Sequence, residues 1–168
     1  MILSHFFQKI AMFGFAFKKD TGDTRESAAI DVAKHLLDEG ASLSIYDPKV
    51  PSDQIQCDLG CDFLVENPQD GVGAVTNGHD LHNNDKKVVR VKNCPYTTAK
   101  NAHAIVVCTE WDEFKDYDYE KIYEGMEKPA FIFDGRKILD HKKLIQIGFR
   151  VETIGKNLNH AKTSYTSM

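Results

Sequence analysis

Apolar positions along the chain gather into short, nearly continuous runs, separated by polar segments that carry a helical period. The run KIAMFGF at 9–15 reads as a buried strand that stops at a glycine. From 26 to 39, Ala29, Ile30, Ala33, Leu36 and Leu37 recur at helical spacing until Gly40, which predicts an amphipathic helix crossing back over a sheet. ASLSIYD at 41–47 alternates as a strand, and Pro48 and Pro51 bar its continuation. Residues 52–87 lack a sustained period, and their Gly-, Asn- and Asp-rich part predicts an exposed loop over 60–87. A strand follows at 88–91 (VVRV), then a short helix at 95–101 and a central strand, HAIVVCT, at 103–109. A helix at 118–126, a strand at 130–135 (AFIFDG), a helix at 137–147 stopped by Gly148 and a last strand at 149–154 complete the pattern.

Strand and helix alternate throughout. That order predicts an α/β fold, a doubly wound and mainly parallel sheet with helices on both faces. One domain is expected over 9–156, with an atypical lead-in at 1–8 and a frayed polar tail at 157–168. In such sheets a ligand sits beyond the carboxyl ends of the strands, where strand order reverses.

Composition narrows the function classes. At 168 residues and 42% hydrophobic, the chain suffices for one core. A net charge of -4 without a Lys/Arg stripe argues against a nucleic-acid binder, so an anionic partner must be held by a few placed cations. Cys57, Cys61, Cys94 and Cys108 show no secretory pattern and read as free thiols in a reducing, cytoplasmic setting. The apolar start has no basic region ahead of it and reads as strand rather than leader. No run has the length of a membrane span.

Candidate chemistry concentrates in GFAFKKDTGDTRES at 14–27. Asp23 followed three residues later by Glu26 resembles a capping box, placing a helix N-terminus and its positive dipole end beside Lys18 and Arg25. DGR at 134–136 falls at the same sheet rim and adds Arg136. The alternative is that Lys18, Lys19 and Arg25 are solvated cations paired with Asp20, Asp23 and Glu26. Neither GxGxxG nor a Walker loop is present.

Other constellations carry less. Cys57-x3-Cys61 with His79-x2-His82 departs from zinc spacing and lies in loop-like sequence, so no metal is expected. Glu110, Asp112 and Glu113 around Trp111 fit either acid–base chemistry or the acids of an ordinary helix start. His35 and His103 read as structural, and Tyr117, Tyr119 and Tyr123 as packing residues.

KIAMFGFAFKKDTGDTRES, IYDPKV, VVCTEWDEF and FIFDGRKILD, in this order, closely resemble the C-terminal UDP-binding domain of animal-type UDP-glucose 6-dehydrogenases, in the UDP-glucose/GDP-mannose dehydrogenase family. The resemblance spans 9–156 and weakens across the Gly/Asn-rich stretch. It implies a Rossmann-like domain of an enzyme that oxidises the C6 hydroxyl of UDP-glucose to UDP-glucuronate in two NAD-linked hydride transfers, through a cysteine-bound thioester. By the same resemblance, Phe17, Lys18 and Arg136 meet the nucleotide sugar, and Arg25 reaches NAD held by another domain.

The family's NAD-binding domain, central dimerisation helix and nucleophilic cysteine segment have no counterpart in these 168 residues. No catalytic residue is therefore assigned, and the chain is expected to bind UDP-glucose or UDP-glucuronate without turnover. Full-length enzyme subunits, homo-oligomeric by family, are the other expected partners. A non-catalytic truncated paralogue that regulates assembly of the full-length enzyme is the alternative.

Overall fold

The computed structural model describes residues 9–60, 63–66 and 87–154. Seven strands, β1 (Lys9–Phe13), β2 (Ser42–Tyr46), β3 (Phe63–Glu66), β4 (Lys87–Val91), β5 (Ala104–Val107), β6 (Phe131–Asp134) and β7 (Arg150–Thr153), form one sheet. Their order is β3-β4-β2-β1-β5-β6-β7, and each neighbouring pair is parallel. Among the described residues, helices α1 (Ala28–Asp38), α2 (Ser52–Leu59), α3 (Pro95–Ala99), α4 (Tyr119–Gly125) and α5 (His141–Ile147) connect them, with a 3-10 turn at Asp112–Lys115. This is the doubly wound α/β architecture that the alternation predicts.

The apolar runs explain the layering. Ala11, Met12 and Phe13 on β1 and Ala104, Ile105 and Val107 on β5 are all buried, so both faces of the sheet centre need cover. Strand order runs outward from β1 through β2 to β4 and β3, then restarts at β5 and runs the other way. Right-handed crossovers then place the two sets of helices on opposite faces. Accordingly α1 packs with α2, while α4 packs with both α3 and α5. The reversal leaves a crevice beyond the carboxyl ends of β1 and β5.

Three boundaries differ from the sequence expectation, each for a local reason. Helix α1 begins at Ala28, with Ser27 as its N-cap, because Glu26 sits in the left-handed region at φ 58° and cannot continue a helix. The Asp23/Glu26 pair is thus no capping box, and Arg25 lies ahead of the helix and its Ser27 cap. Helix α5 begins at His141 rather than 137, because the Asp134 carboxylate takes the Leu139 N–H at 3.0 Å and the Asp140 side chain caps the helix start. Helix α2 and strand β3 fall within the aperiodic stretch, and β3 lies inside the span read as loop. The remainder of that loop, the lead-in at 1–8 and the tail at 157–168 lie outside the described residues.

Phe13, at the end of β1, anchors the connection after β5. Its ring lies 5.6 Å from that of Phe114, and 6.3 and 6.2 Å from those of Tyr46 and Tyr117. The segment following β5 is thereby fastened over the strand that precedes the crevice. Among the described residues, no helix is long and apolar enough to cross a membrane.

Candidate ligand site at the switch point

The exit from β1 is fixed from three sides. Gly14 adopts φ +88°, and a Cβ there would fall 2.4 Å from the Cβ of Thr109, so only glycine allows the two segments to approach. The Thr109 hydroxyl donates to the Ala16 carbonyl at 2.7 Å, and the Ser27 hydroxyl donates to the Phe15 carbonyl at 2.8 Å. From the third side, Asp47 Oδ2 accepts from the Phe15 N–H at 2.7 Å, the Ala16 N–H at 3.0 Å and the Trp111 indole at 3.1 Å. Its other oxygen accepts from the N–H groups of Lys49 and Val50. Phe17 then emerges 50% exposed, with Lys18 beside it on the surface.

Arg136 reaches the same place from β6. Asp134 is fully buried, and its carboxylate accepts from the backbone N–H groups of Arg136 at 3.1 Å and Leu139 at 3.0 Å, and from His141 Nε2 at 2.8 Å. The turn carrying Arg136 is therefore held by one interior carboxylate. The guanidinium itself meets Glu110, just beyond β5: Nε donates to Oε2 at 2.6 Å, and Nη2 pairs with the same oxygen. Burial acts to raise the Glu110 pKa, but the hydrogen bond and charge of Arg136, with backbone N–H groups, outweigh it and hold the carboxyl below its ordinary value.

Phe17, Lys18, Glu26, Ala28, Cys108, Glu110 and Arg136 line one open hollow of about 340 Å³. Two cations and two carboxylates thus face a space bounded by an exposed aromatic ring. A second, apolar hollow of about 470 Å³ adjoins it between α1 and β5–β7, sharing Ala28, Cys108 and Arg136. The Cys108 thiol lies at both; burial pushes it up to about 12, so it stays protonated at neutral pH.

Of the residues singled out from the sequence, the structure brings Phe17, Lys18 and Arg136 to this hollow and leaves Arg25 outside its lining. The Arg25 side chain is 88% exposed and paired with Asp23 at 2.6 Å, and Lys19 pairs with Asp112, also at 2.6 Å. Paired surface cations describe both of those residues. Lys18 has no ion-pair partner among the described residues, though its charge helps hold Asp23 at about 2, after the larger effect of hydrogen bonds from Arg25.

The acids near Trp111 divide their tasks. Asp112 receives Lys19 and Lys115, Glu113 accepts from the hydroxyls of Tyr46 and Tyr117, and Glu110 alone faces the hollow. His35 Nδ1 lies 2.7 Å from the Asp31 carbonyl oxygen, and His103 Nδ1 accepts from the Lys9 N–H, so both make structural contacts. Tyr123 packs edge-on against Phe149 at 5.0 Å. Among the described residues no cluster of His, Cys, Asp and Glu has the makings of a metal site, and Cys61, His79 and His82 lie outside them.

Sequence reasoning missed the roles of Asp47, Asp134 and Glu110. All three lie at or just past strand ends, a position that marks them in the sequence, but their partners are set by the tertiary fold.

Residues 11–141 match the UDP-glucose/GDP-mannose dehydrogenase family, UDP binding domain. The chain belongs to this family. UDP-glucose 6-dehydrogenase of Drosophila melanogaster is 53% identical over 149 residues, covering 89% of this chain and 28% of its own length. The Rattus norvegicus protein of the same name is 50% identical over 161 residues, covering 95% of this chain and 30% of its own. The chain thus spans less than a third of these relatives. Among solved structures, NDP-N-acetyl-D-galactosaminuronic acid dehydrogenase from Methanosarcina mazei Go1 superposes with a TM-score of 0.62 at 23% identity, over 89% of this chain and 25% of that one. UDP-D-ManNAc dehydrogenase from Pyrococcus horikoshii gives 0.57 at 25% identity, over 87% of this chain and 25% of its own. This chain corresponds to the UDP-binding domain of these dehydrogenases.

Proposed function

We propose that the hollow holds the diphosphate and sugar end of UDP-glucose or UDP-glucuronate, with Lys18 and Arg136 as its cationic grip and Phe17 packing on an apolar part of the ligand. The supporting observation is that these three residues, from two distant segments of the chain, line one hollow at the strand-order reversal. Lysine supplies a mobile point charge, and arginine a planar fork matched to phosphate oxygens.

The relatives' activity, NAD-dependent oxidation of UDP-glucose, is the reaction this domain would serve. The turn after β1 is not built as a dinucleotide cradle. The N–H groups of Phe15 and Ala16, at the turn where a glycine-rich loop would offer donors to a pyrophosphate, are already taken by Asp47. Arg25, outward-facing, is the group left to reach a cofactor held on another domain. In this reading the domain forms one wall of the ligand cleft, and Phe17, Lys18 and Arg136 are its contacts with the nucleotide sugar.

Calorimetry with UDP tests the reading. The expected result is weak binding by the intact chain, lost or reduced in both Lys18→Ala and Arg136→Ala. No heat at millimolar UDP, or equal heats from all three proteins, would refute it.

A further inference from the structure

We infer that Glu110 is a positioning residue for Arg136: it seizes one edge of the guanidinium and turns the remaining edge toward a bound phosphate. The inference rests on the UDP-binding reading above.

The geometry separates the two edges. Oε2 of Glu110 meets Nε and Nη2, the side edge of the guanidinium. Nη1 has no partner among the described residues, so Nη1 and the second Nη2 proton form the fork available to an anion. Both side chains line the hollow, and both stay partly solvated, Arg136 at 38% and Glu110 at 28% exposure.

The surrounding frame makes Glu110 the remaining control on that fork. The backbone of Arg136 is already set by the buried Asp134, which leaves the long arginine side chain as the chief freedom. Glu110 is set in turn: it follows Thr109, which is bonded to the Ala16 carbonyl, and precedes Trp111, which is bonded to Asp47. A carboxylate fixed just past β5 thus aims a cation carried just past β6.

A carboxylate beside an anion site also repels the anion, and the balance decides the direction of the effect. The guanidinium is bonded to the carboxylate and its positive charge offsets that repulsion in a partly solvated site, whereas ordering a long side chain before binding is worth about two- to tenfold in affinity. Positioning therefore wins.

The test is a set of UDP titrations on the 168-residue chain, with thermal midpoints measured for every variant. Glu110→Ala is expected to bind UDP about three- to tenfold more weakly. Glu110→Gln, whose amide oxygen still accepts from Nε, should fall closer to the wild type than to Glu110→Ala. In an Arg136→Ala background, Glu110→Ala should cost nothing further, because there is no fork left to aim. Equal or tighter binding by Glu110→Ala, a Gln variant no better than the Ala one, or the same loss with and without Arg136 would each overturn the inference. Should Glu110→Ala fail to fold, Glu110→Leu, which fills similar space but accepts no hydrogen bond from Nε, takes its place: weaker UDP binding than wild type is expected, and equal or tighter binding refutes the inference. Wild-type binding with an unaffected Glu110→Ala sinks this inference alone, while a wild-type chain that binds no UDP sinks both readings.

Discussion

Replacing Asp47 with alanine should loosen the turn that presents Phe17 and Lys18. Three donors lose their acceptor at once: the Phe15 and Ala16 N–H groups and the Trp111 indole, at 2.7, 3.0 and 3.1 Å from Oδ2. All three belong to buried residues, so water reaches them poorly. Each stranded buried donor costs about 1–3 kcal/mol. The N–H of Val50, on a buried residue, loses the other oxygen, whereas that of Lys49, on an exposed residue, finds water and adds little. Because the turn relaxes and the donors share two oxygens of one group, the sum falls well short of full penalties, and about 3–5 kcal/mol is expected. That is a large part of the about 5–15 kcal/mol that holds a domain folded. Asp47→Asn keeps the shape and one acceptor oxygen, so roughly half the loss should return. Urea unfolding followed by far-ultraviolet circular dichroism reads both, since the lone tryptophan is itself a partner of the mutated group. The midpoint should drop with the slope unchanged. A loss under about 1 kcal/mol for Asp47→Ala would mean that the turn holds itself without the carboxylate, and the account of the β1 exit would fail.

Further consequences concern neighbouring groups. Gly14→Ala forces a side chain to within 2.4 Å of the Thr109 Cβ at φ +88°, so a loss of more than about 2 kcal/mol is expected in the same urea assay, and a neutral result would refute the close approach. Glu110 has its folded pKa depressed below 4.5, so its contribution to stability is full above that pH and fades as pH falls through the lowered value. The thermal-midpoint difference between wild type and Glu110→Gln should therefore be flat at neutral pH and shrink toward zero in acid; a difference that grows on acidification would contradict the ion pair. Arg25→Ala, which removes a side chain 88% exposed, should leave both the thermal midpoint and UDP binding unchanged. A thermal shift of several degrees would show that Arg25 is structural.

The sheet was legible from the chain because its central strands are continuous apolar runs, buried on both sides. Ile10 to Phe13 and Ala104 to Val107 announce themselves without reference to their neighbours. Helix α2 did not, since only Ile55 and Leu59 face inward and two apolar residues do not make a period. Strand β3 is four residues beside a polar tract, too short for alternation to emerge. At the site, Lys18 and Arg136 stood out through family resemblance, and spacing alone left them equal to Lys19 and Arg25. What separates the pairs is tertiary. Lys19 and Arg25 find carboxylates at the surface, whereas Lys18 and Arg136 converge on the hollow from residues more than a hundred positions apart in the chain. The aiming role of Glu110 has no sequence signature, because it depends on how β5 and β6 register against each other.

The all-parallel pairing also bears on when the hollow comes into being. Its walls come from the exits of β1, β5 and β6, and each of those strands joins the next only through a crossover, with no tight hairpin between them. Such non-local pairings form slowly, after the entropy of closing long loops has been overcome. A refolding chain should therefore recover nucleotide affinity only together with its last protected amides. A ligand-binding signal that ran ahead of amide protection would reveal a partly assembled rim that can already grip phosphate.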